Sequence, residues 1–372
     1  MRIGLDATPL LGRRTGIGRY VEKLAATLPT LGHGDDVVAT AFTLRGAGTL
    51  TGSVPPGVSV RARPVPARLL RAAWQRTEHP PVEVLTGRLD VFHGTNFVQP
   101  PARSAAGVVT VHDLAYLLHP ETVSADSARL LELVPRGLRR AAVVCVPSRS
   151  VADEVEEAYR LPRERIQVTP LGVDPAWATA GELPRDRRLA LGLDRPYLLF
   201  VGTLEPRKNL GLLLEAFGAV CAADPDGPLL ALAGPAGWGA DAELPPAAAG
   251  RVRRLGYLEE AELRSVVAGA LAMVFPSRYE GFGLPPLEAF ASGVPVVATD
   301  IPTTRETVGG DPGLARMVPL GDADALAHAL THDWADAQEP DRRARRRAVA
   351  ARYTWTTTAE LTRQAYERAT AG

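Results

Sequence analysis

Several residue types are scarce in this 372-residue chain. It has two cysteines, Cys145 and Cys221, and both lie in apolar surroundings. We therefore expect buried thiols in a reducing compartment, not a disulfide or a cysteine metal site. Lysine is equally scarce, because Lys23 and Lys208 are the two lysines among 42 basic residues. In this background of arginine, a lysine suggests a chemical reason for its presence.

An excess of one charge and long hydrophobic runs are also missing. The 42 basic residues balance 42 acidic ones, which argues against a broad nucleic-acid surface. No apolar run approaches the roughly 18 residues that span a membrane. The chain enters Arg2–Asp6 without a preceding apolar segment, so we expect no signal peptide and a cytoplasmic protein. A hydrophobic content of 46% with 23% charged residues is typical of a soluble globular protein.

Short apolar strands and helical patterns alternate along the chain. The predicted strands are residues 2–6, 37–42, 58–63, 91–96, 108–113, 143–146, 166–168, 197–202, 229–234, 251–257, 271–275 and 294–299. This alternation and the length predict an α/β protein with two doubly wound parallel sheets. Residues 175–193, rich in Ala, Gly, Pro and Arg, are a predicted linker. We therefore predict domains at 1–186 and 187–355.

The stretch 276–288 combines a buried strand end, a glycine loop and a helix start. Pro285 and Pro286 mark the first turn of the helix, which places Glu280 in the loop and Glu288 in the helix. Amides near Phe282, Gly283 and Leu284 would then face an anion at the helix N-terminus. Carboxylates on either side would suit the hydroxyl groups that flank such an anion. Taken singly, each glutamate could equally be a cap or a solvated side chain.

A second candidate anion site follows the predicted strand 197–202. Gly202 and Thr203 lead into adjacent cations, Arg207 and Lys208, just before a helical pattern. Cations beside a helix N-terminus bind phosphate well. The alternative is an ordinary surface pair.

Two predicted strands of the first domain deliver histidines, His93 and His112, at their carboxyl ends, with Asn96 nearby. Ligands of open parallel sheets bind at these ends. His112 is therefore a candidate site residue, and His93 with Asn96 are candidate acceptor contacts. The alternative for a lone histidine is a structural role.

The arginines from Arg61 to Arg76 interleave with leucines and a tryptophan. They form either a basic face for peripheral contact with an anionic membrane or an ordinary solvated helix. A D-x-D match at Asp322 and Asp324 precedes a helical pattern, and capping explains it better than metal binding. We expect no metal site and no cofactor.

The two glutamates, with seven residues between them, and the Glu-Pro-Arg-Lys-Asn run at 205–209 resemble the retaining GT-B glycosyltransferases of glycosyltransferase family 4. The resemblance covers nearly the whole chain. It implies two Rossmann-like domains facing a central cleft, an acceptor-binding domain first and a donor-binding domain second, with helix 356–370 packing back on the first. Thr203 departs from the arginine that many members carry there.

The resemblance also implies roles for individual residues. Glu280 and His112 would contact the donor sugar, Glu288 the ribose, and Arg207 with Lys208 the pyrophosphate. The remaining implied donor contacts are Gly16, Gly18, Gly202, Thr203, Tyr257 near the base, and the 282–284 amides.

The activity implied is metal-independent, retaining transfer from a nucleoside-diphosphate sugar. The acceptor would be a glycan, a lipid-linked sugar or a small molecule. The Glu-Pro-Arg-Lys-Asn branch resembles mannosyltransferases and gives a slight preference for GDP-mannose. Two alternatives stay open, a phosphorylase of the same fold and a non-catalytic nucleotide- or glycan-binding protein.

Overall fold

The computed structural model describes residues 1–12, 16–44, 46, 48–238, 243–331, 334 and 339–371. They divide into two compact units. The first unit comprises Met1–Leu118, Ala125–Gly172 and Thr354–Gly372, and the second comprises His119–Ser124 and Val173–Tyr353. The chain passes into the second unit at Val173, so the predicted linker 175–193 lies within that unit.

Among the described residues, the paired strands are all parallel. In chain order the strands are Arg2–Asp6 (β1), Asp36–Thr40 (β2), Ser59–Val60 (β3), Val91–Gly94 (β4), Ala106–Thr110 (β5), Val143–Val146 (β6), Ile166–Val168 (β7), Tyr197–Val201 (β8), Leu229–Ala233 (β9), Val252–Gly256 (β10), Ala272–Phe275 (β11), Val296–Thr299 (β12) and Ala315–Val318 (β13). Most of these strands are continuous apolar runs, as expected where helices cover both faces of a sheet.

Helices connect the strands within each unit. In chain order they are Gly16–Thr27 (α1), Ala67–Trp74 (α2), Glu83–Thr86 (α3), Ala115–Leu118 (α4), Leu130–Arg140 (α5), Arg149–Tyr159 (α6), Ala176–Thr179 (α7), Arg185–Ala190 (α8), Leu210–Ala223 (α9), Glu260–Ala268 (α10), Leu284–Ala291 (α11), Pro302–Thr307 (α12), Ala323–Leu330 (α13), Pro340–Ala350 (α14) and Trp355–Ala371 (α15). Among the described residues, no helix combines the length and the hydrophobicity that a bilayer span requires.

Both sheets have the Rossmann strand order. Within the described residues the first sheet runs β3-β2-β1-β4-β5-β6-β7, and the second runs β10-β9-β8-β11-β12-β13. The winding direction reverses between β1 and β4 in the first sheet and between β8 and β11 in the second. Ligands of open parallel sheets bind beside the carboxyl ends of strands at such a switch point. The topology alone therefore marks one candidate site in each unit.

The C-terminal helix α15 belongs to the first unit, where it contacts α1, β4, β5 and β6. Its Tyr366 hydroxyl bonds His93 Nδ1 at 2.8 Å, and His93 Nε2 bonds the Thr110 hydroxyl at 2.7 Å. Gly172 lets the chain pass close to this helix, since a Cβ there would lie 2.2 Å from the Trp355 nitrogen. A buried polar chain therefore fixes the last helix onto the first sheet.

The predicted strands agree with the structure except at the edges of the sheets. The predicted strand 58–63 is reduced to Ser59–Val60, because arginines and a proline follow it. Strand β13 was not predicted, because Arg316 interrupts its short apolar run. Cys145 and Cys221 are buried and unpaired, as predicted.

We expect Tyr366→Phe to destabilise the protein by about 1–3 kcal/mol, because the substitution leaves a buried histidine nitrogen without its partner. Urea unfolding followed by circular dichroism measures this loss. Glu360→Gln, on the exposed side of the same helix, is the control and should change stability by less than about 0.5 kcal/mol. Equal stability of Tyr366→Phe and wild type would contradict the expectation.

Candidate functional site

The switch point of the second sheet brings together the two segments that the sequence singled out. Strands β8 and β11 are neighbours, and the segments 202–209 and 276–283 follow their carboxyl ends. The Arg278 amide donates to the Arg207 carbonyl at 2.9 Å. Arg278 Nε donates to Asn209 Oδ1 at 3.2 Å. The two segments are therefore tied to each other by backbone and side chain.

The local sequence explains how the cations are presented. Residues Pro206–Lys208 form a single tight 3-10 turn, and Asn209 ends it with a left-handed φ of 56°. Asparagine tolerates this conformation better than most residues. Helix α9 begins immediately afterwards, at Leu210. The turn thus places Arg207 and Lys208 between the end of β8 and the start of α9.

One carboxylate holds both cations. Arg207 Nη1 donates to Glu280 Oε2 at 2.7 Å, and Lys208 Nζ donates to Glu280 Oε1 at 2.5 Å. Arg207 Nη2 bonds a second carboxylate, Glu205 Oε1, at 2.6 Å. Arg207 Nη1 also donates to the Tyr279 carbonyl at 2.9 Å. The cluster orients two cations with two acids in a mostly buried setting.

The electrostatics of the two acids differ. Burial alone would raise the pKa of Glu280, which is 7% exposed, but the charges of Arg207 and Lys208 outweigh burial and lower this pKa to about 2. For Glu205, burial dominates over the same two cations and raises its pKa. Glu280 is therefore an anion at neutral pH and the fixed counter-ion of the pair.

The glycine loop leads directly into helix α11. Gly283 precedes the helix with a left-handed φ of 99°, a conformation that favours glycine. Because Pro285 and Pro286 lack amide hydrogens, donors for an anion at this helix start would come from residues 282–284. The Phe282 ring packs against Tyr353 with centroids 5.8 Å apart. Glu288 lies within the helix, and it is 2% exposed.

Other predicted donor contacts lie along the same edge of the second sheet. Gly202 and Thr203 follow β8, and Tyr257 follows β10, with β9 between them. Two strand spacings correspond to about 10 Å. Gly234 allows β9 to end close to β8, since a Cβ there would lie 2.0 Å from the Gly202 carbonyl oxygen.

His112 lies two residues beyond β5, at the carboxyl edge of the first sheet. Its Nε2 bonds the Thr95 carbonyl at 2.8 Å, and its ring packs edge-on against Tyr20 and Phe97. Burial lowers the pKa of His112. A carbonyl can only accept, so Nε2 carries the proton and Nδ1 of the neutral ring is an acceptor.

His93 does not fit the acceptor role predicted for it. The side chain is 0% exposed, and both ring nitrogens bond the side chains of Tyr366 and Thr110. Burial and the neighbouring His112 lower the pKa of His93 to about 3. His93 is therefore neutral and structural. Asn96, its predicted companion, is half-buried and lines a pocket of the first unit.

The predicted glycine loop before the first helix is described only in part. Residues 13–15 lie outside the described residues. Gly16 and Gly18 belong to the first turn of α1 and not to a loop. A contact of this segment with the donor stays a prediction.

At the D-x-D match, Asp322 caps the N-terminus of helix α13. Its Oδ1 accepts the Ala325 amide at 2.8 Å, which is the predicted helix cap. Across the part of the chain that the structure describes, no group of three or more His, Cys, Asp or Glu side chains is arranged to hold a metal ion.

Two features of this site were not predicted from the sequence. Glu205 belongs to the Glu-Pro-Arg-Lys-Asn run, but the sequence does not indicate its pairing with Arg207. Residues His119–Ser124 join the second unit, where the His119 ring lies 5.0 Å from that of Tyr279. The Thr122 carbonyl also accepts a hydrogen bond from Trp238 Nε1 at 3.0 Å. The His119-Pro120 pair marks the end of helix α4, because the residue before a proline is disfavoured in a helix.

We expect Glu280→Gln to cost about 3 kcal/mol of stability at pH 7, because the substitution leaves two largely buried cations without their shared anion. Urea unfolding measures this cost. Glu262→Gln breaks an exposed pair with Arg187 and is the control, with an expected cost below about 1 kcal/mol.

The difference between wild type and Glu280→Gln should also depend on pH. The folded-state pKa of Glu280 is about 2 against an ordinary value of 4.5, so its stabilising contribution is complete above 4.5 and is lost as the pH falls toward 2. The difference should be constant from about pH 6 to 8 and should narrow below about 4.5. A difference that grows in acid would contradict this assignment.

Comparison with known proteins gives a consistent result. The profile of glycosyltransferase family 4 matches residues 14–177, and that of glycosyl transferases group 1 matches residues 195–336. The chain is 32% identical to the O-antigen chain mannosyltransferase B of Escherichia coli over 74% of each protein. It is 27% identical to the MMP alpha-(1->4)-mannosyltransferase of Mycolicibacterium hassiacum, over 100% of this chain and 99% of that protein.

A solved structure shows the same fold. The sucrose-phosphate synthase of Thermosynechococcus elongatus aligns with a TM-score of 0.72 at 20% identity, over 99% of this chain and 98% of that chain. At this identity the likeness concerns the fold alone. Taken with the family profiles and the sequence relatives, the two Rossmann-like units identify the chain as a GT-B glycosyltransferase that belongs to the group 1 and family 4 glycosyltransferases.

Proposed function

We propose that this glycosyltransferase transfers a sugar, with retention of anomeric configuration and without a metal ion, from a nucleoside-diphosphate sugar to a hydroxyl acceptor. The observation that carries the proposal is the Arg207–Lys208 pair, held by Glu280 at the switch point of the second sheet. Two oriented cations at this position suit a diphosphate.

The cations would act on the leaving group. The bond between the sugar C1 and the β-phosphate oxygen breaks, and negative charge grows on that oxygen. Arg207 and Lys208, with the amides near Phe282 to Leu284, would stabilise this charge in place of a metal ion. Preorganised donors of this kind are typically each worth about 3 kcal/mol of transition-state stabilisation.

The pairing of the acids argues against a covalent enzyme intermediate in the retaining transfer that we propose. Both carboxylates of the cluster, Glu205 and Glu280, are engaged by Arg207, and Glu280 has a pKa of about 2. A carboxylate stabilised in this way is a poor nucleophile. We therefore propose front-face attack, in which the acceptor oxygen bonds C1 and its proton passes to the leaving phosphate.

The remaining predicted contacts give the donor a direction along the second sheet. Tyr257 lies about two strand spacings, or about 10 Å, from β8, which suits a base at β10 and a diphosphate at β8. The Glu288 carboxylate would accept hydrogen bonds from the ribose hydroxyls. His112 Nδ1 would accept a hydrogen bond from a hydroxyl of the donor sugar. GDP-mannose is the preferred candidate donor, because two relatives are named mannosyltransferases.

We also propose a peripheral contact with the inner face of an anionic membrane, which would give access to a lipid-linked acceptor. In the segment 61–76, helix α2 buries Leu70 and Trp74 but leaves Leu69 70% exposed beside the exposed Arg68. An exposed leucine among arginines suits the boundary between water and lipid headgroups.

Removal of Lys208 tests the donor site. We expect Lys208→Ala to reduce kcat by roughly 100-fold or more, because it removes one donor to the leaving phosphate. Release of nucleoside diphosphate from a panel of nucleotide sugars, with GDP-mannose included, gives the rate. Lys23→Ala, at the other lysine of the chain, is the control and should retain the wild-type rate.

Two results would contradict the donor assignment. One is an unchanged rate in Lys208→Ala. The other is a reaction that requires inorganic phosphate and no nucleotide, which would favour the phosphorylase alternative. Because the chain is a glycosyltransferase, the non-catalytic alternative no longer stands.

Co-sedimentation with phosphatidylglycerol vesicles tests the membrane contact. We expect binding at low salt that is lost at high salt, since the attraction is electrostatic and screened. Leu69→Glu should weaken binding. Leu189→Glu, at an exposed leucine of the second unit, should not. Absence of binding at low salt would refute the contact.

A further inference from the structure

Two aromatic side chains of the first unit pack against the His112 ring. The Tyr20 ring lies edge-on to it with centroids 5.2 Å apart, and the Phe97 ring lies edge-on with centroids 5.5 Å apart. Both side chains are buried, Tyr20 at 1% and Phe97 at 7% exposure. We call Tyr20 and Phe97 the aromatic pair. They come from different elements, since Tyr20 belongs to helix α1 and Phe97 follows strand β4.

Phe97 has a backbone conformation that bulky residues rarely adopt. Its φ is 63°, in the left-handed region where glycine and asparagine are the usual residues. The Val98 amide donates to the Asn96 carbonyl at 2.8 Å, so Phe97 is the centre of a three-residue turn. The positive-φ form of this turn is rare and strained. Strained residues persist only where their surroundings hold them, and they are concentrated at functional sites.

The loop that carries this strain also fixes His112 by a hydrogen bond. Thr95, two residues before Phe97, supplies the carbonyl that accepts from His112 Nε2 at 2.8 Å. The Phe97 amide donates to the Thr110 carbonyl at 2.9 Å, which ties the loop to the end of β5. The Phe97 ring also packs edge-on against Tyr116. One short loop therefore provides both a hydrogen bond and a ring contact to the histidine.

A buried chain of hydrogen bonds holds the other ring of the aromatic pair. The Tyr20 and Thr110 hydroxyls are bonded at 2.9 Å, and the Thr110 hydroxyl is bonded to His93 Nε2 at 2.7 Å. His93 Nδ1 is bonded to the Tyr366 hydroxyl of helix α15 at 2.8 Å. These four side chains are at most 2% exposed. A chain of groups sealed in this way fixes the Tyr20 ring beside His112 from helices α1 and α15.

The orientation of the His112 ring decides what its second nitrogen can do. The χ2 torsion of histidine has a broad energy minimum, so the surroundings must set the angle of the ring. The hydrogen bond from Nε2 fixes one point of the ring but still allows the ring to tilt about that bond. Edge-to-face contacts have a preferred geometry, and two of them from separate elements restrict this tilt.

We propose that Phe97 and Tyr20 are positioning residues of His112, which hold its ring so that Nδ1 meets a hydroxyl of the donor sugar. The proposal rests on the proposed function, in which His112 contacts that sugar, and adds two residues that act through His112 without touching the donor. It also gives a use to the strained turn at Phe97 and to the buried His93. Rates are sensitive to such placement, because an error of about 1 Å can cost on the order of 100-fold.

The kinetic test measures nucleoside diphosphate release by the full chain, with the donor that is active in the nucleotide-sugar panel. We expect Phe97→Leu to lower kcat about tenfold and to change the donor KM less than about twofold, because the proposed diphosphate contacts lie in the second unit. His112→Ala should lower kcat at least as much. Adding Phe97→Leu to His112→Ala should have no further effect on kcat, because the ring acts through the histidine.

Phe92→Leu is the matched control for the loss of a buried ring. Phe92 is 0% exposed in β4 of the same unit, and its ring packs against Phe42. The variant should lose stability but retain the wild-type kcat. Tyr20→Phe keeps the ring and should stay within about threefold of the wild-type kcat, whereas Tyr20→Leu should lower it about tenfold. If Phe97→Leu does not fold, Tyr20→Leu takes its place in the double variant.

The ¹⁵N spectrum of the imidazoles gives a readout that does not depend on activity. The His112 signals are identified by their loss in His112→Ala. In the wild type they should show a single tautomer with the proton on Nε2, as the bond to the Thr95 carbonyl requires. In folded Phe97→Leu and Tyr20→Leu we expect a mixture of tautomers, because the ring is free to leave that bond.

The outcomes separate this proposal from the proposed function. The positioning role is overturned if both folded leucine variants keep the wild-type kcat and the wild-type His112 signals. It is also overturned if Phe97→Leu lowers kcat by the same factor with and without His112. A wild-type rate in His112→Ala would instead refute the donor contact assigned to His112 in the proposed function.

Discussion

The carboxylate of Glu280 is the group on which the cation cluster, the proposed donor site, depends. It binds Arg207 through one oxygen and Lys208 through the other, so two like charges can lie side by side at low solvent exposure. Without such a counter-ion the two cations would repel each other and turn toward water. With it, they are held in place before any phosphate arrives, and preorganised charge is what stabilises a developing anion.

The backbone around this cluster also helps to hold the two cations in place. The left-handed Asn209 ends the turn that carries the cations, and the left-handed Gly283 opens the helix that carries Glu288. Arg278 bonds across from one loop to the other. Because β8 and β11 are neighbours only by virtue of the Rossmann crossover, the site exists only once the sheet has formed.

The two units repeat one topology but use its switch point differently. In the second unit the switch point carries cations, as a diphosphate requires. In the first unit it carries Asp6, Asn96 and two aromatic rings around a small pocket. The shared fold supplies the position, and the loops after the strands supply the chemistry. Duplicated topology with divergent loops therefore gives the two units different chemistry at the same position of the sheet.

The class of fold, most strands and the two segments that form the cation cluster could be predicted from the sequence alone. The signals that allowed this are local: continuous apolar runs, paired prolines, glycines and adjacent cations. Each depends only on residues that are neighbours in the sequence. Tertiary structure decided which side chains meet. The Glu280 contact to Lys208 joins residues 72 positions apart, and His93 is enclosed by Tyr366 from 273 positions away. The pocket around Asp6 combines α2 with the ends of three strands. No local pattern encodes such distant contacts, because they arise only when the sheet order and the packing of the last helix are fixed.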